Sequence, residues 1–394
     1  MFSAITAAGR GCRVILLEAN DRLGKKLLIT GKGRCNVTNN CSAQEVLQNI
    51  PRNGRFLYSA LEKCPPSEVI RFFEMNGCHL KTERGNRVFP VTDKSQSVLE
   101  CLRDVLQRMN VKVQRTRVLE ILQKEGSVAG VKTQSGIITA DSVILATGGV
   151  SYPSTGSTGD GYRMASALGH TIVSPEGSLV PLETEGDSCQ RMQGLSLRNV
   201  VVKLLNAKGK VLYKDFGELL FTHFGVSGPT VLSASAHLKG EGCRLLLDLK
   251  PALDENKLNE RILRDLEVYK NRTMENALTD LLPRSMIPVI LDMTSVPASL
   301  QANSLTKQQR RSILEILKAF PVEITGKRPV EEAIITSGGV KVSEIDPKTM
   351  ESKKVTGLYF AGEIIDCDAY TGGFNLQIAW STGYAAGMAV KNCD

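Results

Sequence analysis

Gly357–Val390 reads GLYFAGEIIDCDAYTGGFNLQIAWSTGYAAGMAV. The apolar run Leu358-Tyr359-Phe360-Ala361 breaks at Gly362. Acidic Glu363 and Asp366 follow, then the pair Gly372-Gly373, then helical apolar spacing from Phe374 onward. The order strand, glycine break, glycine pair, helix sets a helix N-terminus, with open N–H groups and a positive dipole end, where it can face a ligand. That ligand would be polar or anionic. The same order also describes an ordinary strand-to-helix crossover, so the reading depends on what the rest of the chain supplies.

The other end of the chain supplies a partner. Residues 1–11, MFSAITAAGRG, are small and helix-compatible, and Val14-Ile15-Leu16-Leu17 is a short β-like run ending at Glu18. This is the second half of a nucleotide-binding strand–helix–strand unit, whose terminal acid accepts hydrogen bonds from ribose hydroxyls. Alternatively, Glu18 merely ends a strand. The first strand and its GxGxxG turn are expected upstream of Met1, by roughly 10–20 residues for a unit of about 30. Next, Asp21–Asn40 crowds Lys25, Lys26, Lys32 and Arg34 around Gly24, Gly31 and Gly33. Glycines admit close backbone approach and cations suit a diphosphate. A basic glycine loop alone is often a solvated turn; directly after Glu18 it reads as the rest of a dinucleotide site.

Composition bounds the alternatives. The 394 residues allow two or three domains, and 42% hydrophobic with 23% charged residues is ordinary globular content. No apolar run reaches the ~20 residues of a membrane span. The N-terminus lacks a basic segment ahead of a long apolar one, so it does not read as a secretion signal, and the expected location is cytoplasmic. Ten scattered cysteines form no CxxC and the four histidines do not join them at ligand spacing, so no metal site is expected. The net charge of +8 is spread and interleaved, which favours anionic ligands. No nucleic-acid recognition motif accompanies it, and no nucleic-acid partner is expected.

Four blocks carry a family resemblance: LLEANDRLGKKLLITGKGRCNVTN, GGVSYPSTGSTGDGYRMASALGH (Gly148–His170), GELLFTHFGVSGPTVLSAS (Gly217–Ser235) and the stretch from Thr336 to Gly387. They resemble the BaiN/YhiN-type family of FAD-dependent oxidoreductases, within the glutathione-reductase-like flavoproteins. The departure is the absent N-terminal glycine loop. The resemblance implies an α/β, Rossmann-like FAD-binding domain, discontinuous over 1–178 and 336–394. Residues 179–335 would be an inserted antiparallel-β and helical domain on the substrate side. It implies that FAD is held by Glu18, Lys25, Gly31, Gly33, Arg34, Cys35, Asn36, the Val118 backbone, Thr147, Gly148, Gly362, Glu363, Asp366, Gly373, Phe374, Asn375 and Leu376. Cys35 is read as a loop residue and not as a redox thiol, because a dithiol mechanism wants a second cysteine close by.

The remaining segments fit this frame. Helical spacing marks 67–77 and 95–109, and β-like runs fall at 111–114, 118–122, 128–133 and 137–141. The run from Val143 to Gly149 is apolar and ends Thr147-Gly148-Gly149, as a buried parallel strand opening onto a ligand would. Ser151–Gly161, SYPSTGSTGDG, is GxxGxG and so in the wrong order for a second dinucleotide fingerprint. NAD(P)H is therefore expected to dock transiently as reductant. In the insert, 200–205 and 210–216 form a hairpin, 219–222 a further strand, Pro283 and Pro288 interrupt a helix, and Thr306 with Gln309 makes a capping box. Tyr152 is a candidate proton donor or a residue of a self-satisfied turn. His223 is a candidate general acid or a histidine packed between Phe221 and Phe224.

The expected activity passes hydride from NAD(P)H to an organic acceptor. The resemblance points to C=C reduction in 3-oxo-4-ene or 4,6-diene bile-acid or steroid intermediates, hence lipid metabolism, on an apolar substrate that is CoA-linked or anionic. Flavin-dependent RNA modification and a non-catalytic interaction protein are the alternatives.

Overall fold

The computed structural model describes residues 1–238 and 240–391. They form two compact units, Met1–Ser178 with Val330 onward, and Leu179–Pro329.

The first unit begins with helix α1 (Phe2–Gly9), strand β1 (Ile15–Glu18) and helix α2 (Lys25–Ile29). Strands β2 (Thr38–Asn39), β3 (Leu80–Glu83) and β4 (Arg87–Pro90) make a small antiparallel sheet in the order β2-β4-β3. Helix α3 (Ser95–Arg108) returns the chain to β5 (Lys112–Arg115), which pairs parallel with β1 so that Glu18 lies opposite Arg115. Then β6 (Val118–Lys124), β7 (Ser127–Thr133) and β8 (Gly136–Thr139) form a meander, followed by β9 (Val143–Leu145), helix α4 (Asp160–Ala167) and β10 (Ile172–Ser178).

The second unit is built on a closed barrel. Its strands are β11 (Leu182–Thr184), β12 (Ser196–Leu205), β13 (Val211–Phe221), β14 (Gly225–Ser227), β15 (Arg244–Asp248) and β16 (Phe320–Lys327), in the order β11-β14-β13-β12-β15-β16. Closure leaves no free sheet edge. Val200, Val202, Leu204, Leu219, Phe221, Leu245 and Leu247 are buried by strict alternation. Between β15 and β16 run helices α5 (Glu255–Val268) and α6 (Lys307–Lys318), the latter opened by a reciprocal Thr306–Gln309 capping box. Residues 219–222 do not make a separate strand: β13 runs on to Phe221. Pro288 does not interrupt a helix either, because it lies in the first turn of Ile287–Met293, where its missing N–H costs nothing.

Val330 onward rejoins the first unit. Strand β17 (Ile335–Val340) pairs antiparallel with β10, β18 (Leu358–Phe360) pairs parallel with β9, and helix α7 (Phe374–Ala389) follows. The parallel strands thus form two separate ribbons, β1–β5 and β9–β18. No described strand pairs with the second edge of β1 or β9; Ile15 of β1 is exposed, as are Ala146 and Thr147 just past the end of β9. No described helix is long and apolar enough to cross a membrane.

Both ends of the chain meet in this unit. Helix α7 is buried on most sides, so its periodicity marks a central helix and not a half-exposed one. Gly383 and Gly387 let α1 approach it: a Cβ on Gly387 would lie 2.7 Å from the Ser3 carbonyl oxygen. Trp380 donates to the Val37 carbonyl at 2.8 Å and packs edge-on against Phe2 and Phe73. Arg10 donates to the Val390 carbonyl at 2.6 Å.

Candidate functional site

The N-terminus of α7 is where the two glycine stretches nest. Gly373, the N-cap, has φ +99°, and a Cβ there would stand 2.4 Å from the Thr38 carbonyl oxygen and 3.0 Å from Asn36 Oδ1. A Cβ on Gly31 would stand 2.9 Å from the Asn36 amide nitrogen. Neither position admits a side chain, so backbone meets backbone across the Gly31–Asn36 loop and the Gly372-Gly373 turn. Asn39 donates to the Gly372 carbonyl at 3.0 Å, and Thr38 donates to Gln377 at 2.6 Å. The Asn375 side chain folds back to accept from the Ala369 amide (2.8 Å) and donate to its carbonyl (2.7 Å). No side chain caps α7, which leaves the first-turn N–H groups of Phe374, Asn375 and Leu376 facing outward from a 16-residue helix.

Glu363 organises the neighbouring turn. Its carboxylate accepts from Lys26 Nζ (2.6 Å), Ser151 Oγ (2.9 Å) and the Thr336 amide (2.8 Å). Lys26 also donates to Ser151 Oγ at 2.7 Å, and Thr336 Oγ1 accepts from the amides of Val150 and Ser151. One ion pair therefore ties α2, the turn after β9, β17 and the turn after β18. Gly362 (φ +76°) begins that last turn and donates to Thr382 at 2.9 Å. Thr147 and Gly148 lie at the end of β9: Thr147 packs on Gly161 of α4 and Gly148 beside Ser157, each too close for an added Cβ.

Two buried oxygens of this unit lack a hydrogen-bond donor. Asn36 Oδ1 and Asp366 Oδ1 make no hydrogen bond. The other Asp366 oxygen accepts from Asn53 at 3.0 Å, and Arg52 stands off at 3.7 Å from Oδ1. Burial pushes the Asp366 carboxyl above the usual carboxylate range, against Arg52 and Asn53. A buried acceptor without a donor is costly and marks a place for one.

The remaining expected residues separate into those near this cradle and those engaged elsewhere. Glu18 ends β1 and accepts from the Asn20 amide (2.9 Å) and side chain (2.8 Å), while Asn20 also donates to the Thr155 carbonyl. Glu18 borders a groove of about 640 Å³ shared with Arg22, Leu28, Gln96 and Arg115. Lys25 pairs with Asp21 at 2.7 Å. The Arg34 guanidinium is held by Glu83 and Asp93 and lies over the Phe89 ring, 4.1 Å from its centroid. It props the loop through these contacts. Cys35 is fully buried and its thiol is pushed up to about 12 by that burial. Gly33 (φ +84°) lies in the exposed part of the loop, and Val118 starts β6. Lys32 (φ 57°), Cys35 (φ 58°) and Tyr152 (φ 51°) are non-glycine residues in the left-handed region, a strain that gathers at functional loops. The Tyr152 carbonyl accepts from the Thr155 amide and hydroxyl. His223 is in the second unit, exposed, with its ring edge-on to Phe224 at 5.0 Å.

The HI0933-like protein Rossmann domain matches residues 1–389. The chain belongs to that family. It is 31% identical over 98% of its length to 95% of a 3-dehydro-bile acid delta(4,6)-reductase of Clostridium scindens. It is 28% identical over 98% of its length to 94% of a ribosomal RNA dihydrouridine synthase of Escherichia coli K12. Its fold matches 3-ketosteroid-delta4-(5alpha)-dehydrogenase from Rhodococcus jostii RHA1 with a TM-score of 0.52, 15% identity, and coverage of 98% and 93% of the two chains. The architecture is thus a Rossmann-type FAD-binding fold with an added antiparallel domain.

In this HI0933-like chain the residues present fit a flavin dinucleotide where the geometry can test it. An uncapped helix N-terminus, two donor-seeking oxygens and a glycine nest without room for side chains are features such a ligand uses. Sequence reading missed Ser151, Thr336, Asn53 and Gln377, and did not single out Lys26 from its basic neighbours. Their chemistry is ordinary, and apart from the Thr336 amide's bond to Glu363, 27 positions on, these partners are more than 120 positions away, so only the fold pairs them. Arg34 could have been separated from Lys26 by the acids Glu83 and Asp93 only with the β3–β4 register known.

Proposed function

We propose that this protein is an FAD-dependent reductase of carbon–carbon double bonds conjugated to a carbonyl, with NAD(P)H as the reductant, working in the cytoplasm. The observation that carries the reading is the uncapped α7 N-terminus with the Asn36 Oδ1 acceptor, which makes no hydrogen bond, beside its N-cap; Asp366 Oδ1 is a second buried acceptor in the same unit. Asp366 and Asn36 would accept from ligand hydroxyl or N–H groups, and the first-turn amides of Phe374, Asn375 and Leu376 would face its electron-rich edge. Glu18 would take ribose hydroxyls at the far end. FAD, when bound, supplies hydride chemistry.

The substrate class we favour is a 3-oxo-4-ene or 4,6-diene steroid or bile acid, apolar and either CoA-linked or anionic. Support comes from the C. scindens relative's name and from the family itself. The carbon β or δ to such a ketone is electron-poor, and the adjacent carbon takes a proton from a protein acid or water. Tyr152 is the first donor to test and His223 the second. The test is anaerobic: protein loaded with FAD, reduced, then mixed with a 3-oxo-4-ene steroid. Return of the oxidised flavin spectrum with formation of the saturated ketone is expected; a spectrum that stays reduced refutes the steroid assignment.

A second reading is reduction of the uracil C5=C6 bond in RNA, also conjugated to a carbonyl. The basic hairpin Ser196–Phe221 of the barrel favours it, as do the names of two relatives. Dihydrouridine in RNA treated with the reduced protein is its readout; unchanged uridine refutes it.

A further inference from the structure

The β12–β13 hairpin is the longest antiparallel element of the barrel, 10 and 11 residues joined by a tight loop. Asn206 Oδ1 accepts from the Lys208 and Lys210 amides and holds that loop in shape. Register divides the hairpin into two faces. Val200, Val202 and Leu204 point into the core, while Val201 lies opposite Phe216 and Lys203 opposite Lys214 on the outer face.

Three features of that outer face are unusual together. Lys203 and Lys214 are like charges placed directly across a ladder, an arrangement that disfavours the pairing. Arg198, Lys208 and Lys210 add exposed cations, and among the described residues none of the five has an ion-pair partner. The hairpin holds two acids, Asp215 and Glu218, and Asp215 is occupied by the Tyr213 hydroxyl and the Phe216 amide. Phe216 itself is 52% exposed on that face, between Lys214 and Glu218 at alternate positions of β13, an unusually open setting for an aromatic ring. Unneutralised lysines around an open aromatic ring are what a single-stranded polyphosphate chain with flat bases requires: charge for the backbone and a π-face for stacking. A duplex offers its bases less readily, and an enzyme acting on a base needs it out of the stack.

We propose that the outer face of the β12–β13 hairpin docks single-stranded RNA, with Phe216 stacking on a base and Arg198, Lys203, Lys208, Lys210 and Lys214 following the phosphates. The footprint is about 4–16 nucleotides, the usual range for one small barrel. This rests on the second reading above, in which RNA carries the substrate base.

The test is fluorescence anisotropy of a labelled uridine-rich oligoribonucleotide with the full chain, over a range of salt concentrations. Phe216→Ala should weaken binding roughly 5- to 150-fold, the loss of one stacked base. Lys203→Gln with Lys214→Gln should weaken it and flatten the slope of log K against log salt by about 1.4, two single-strand phosphate contacts. Neither variant should unfold the barrel, since none of the three side chains belongs to its buried core, and circular dichroism of each should match the parent at the assay temperature. Parent protein that does not bind, or variants that bind as the parent does at equal salt, overturn the proposal; so does tighter binding to vesicles of anionic lipid than to RNA. The two claims fail separately. RNA held through this face but never converted to dihydrouridine removes the uridine reading and keeps the docking face. Dihydrouridine formed equally well by parent and variants removes the face and keeps the reading.

Discussion

Replacing Glu363 by alanine tests whether one ion pair ties the candidate site together. Its side chain is 13% exposed and that of Lys26 25%, so the pair sits between a surface bridge, worth about 0–1 kcal/mol, and a buried one, whose disruption costs about 3–5 kcal/mol. The substitution also strips the Thr336 amide of its acceptor, which adds about 1–3 kcal/mol if water does not replace it. Together these give about 3 kcal/mol for Glu363→Ala. Lys26→Met should cost less, because Glu363 keeps Ser151 and Thr336. The double variant should recover about 1.5 kcal/mol relative to the sum, because the orphaned ammonium is gone. Urea unfolding followed by Trp380 fluorescence is the assay: this single tryptophan lies on α7 in the first unit, so the signal reports the unit that holds the pair. A loss under about 1 kcal/mol for Glu363→Ala, or strict additivity with Lys26→Met, would refute the reasoning.

Other substitutions and conditions probe separate links. Gly373→Ala forces a left-handed alanine, about 1–2 kcal/mol, against the Thr38 carbonyl. It should lower the first unit's urea midpoint and weaken FAD binding measured by flavin fluorescence; a neutral effect on both contradicts the nest. Cys35, buried and pushed up to about 12, should stay unalkylated in native protein while half-buried Cys41, pushed up to about 11 but reachable by reagent, reacts slowly, as mapped by mass spectrometry after timed iodoacetamide treatment. Acid should destabilise the first unit in two steps. Burial lowers the His170 pKa, so its contribution is complete above its unfolded value of about 6.5 and is lost as pH falls below that. Burial alone would raise the Glu344 carboxyl, but hydrogen bonds from Lys354 and Thr171 outweigh it and hold it at about 2. Against the ordinary carboxylate value of 4.5, about 3 kcal/mol is therefore lost as pH falls from 4.5 towards 2. Urea midpoints that are flat from pH 7 to pH 4 would contradict the first step, and His170→Asn, which removes the imidazole 3.3 Å from Glu344, should flatten that step.

Local pattern carried most of the elements and little of the site's wiring. The helix over 95–109 and the strand ending at Glu18 follow from periodicity, because α3 is amphipathic and β1 is a short apolar run with a clear end. Barrel closure was not legible: it is set by β11 pairing with both β14 and β16, and β16 lies about 140 positions further along. Nor was the division of the parallel strands into two ribbons. Val143–Leu145 and Ile15–Glu18 both look like interior strands by composition, and apolar runs do not say which neighbour they will pair with. At the cradle, the glycines were legible because only glycine suits φ near +100° against a carbonyl, whereas Ser151 and Thr336 act through positions that no spacing rule predicts.

The contacts that shape the cradle also explain why it should be sensitive to occupancy. Asn36 over Gly373, Thr38 to Gln377 and Lys26 to Glu363 each join residues more than 330 positions apart. Closing such loops costs configurational entropy before any contact repays it, and the Asn36 oxygen brought there, like Asp366 Oδ1 elsewhere in the unit, is left without a hydrogen-bond donor. A ligand supplying those donors would relieve the penalty and clasp both ends of the chain, stabilising the first unit in proportion to the logarithm of its concentration over its dissociation constant. The barrel has an apolar core of its own, Leu182 to Val322. Occupancy should therefore act on the first unit's unfolding, which makes the α7 N-terminus a place where binding energy and folding energy are the same quantity.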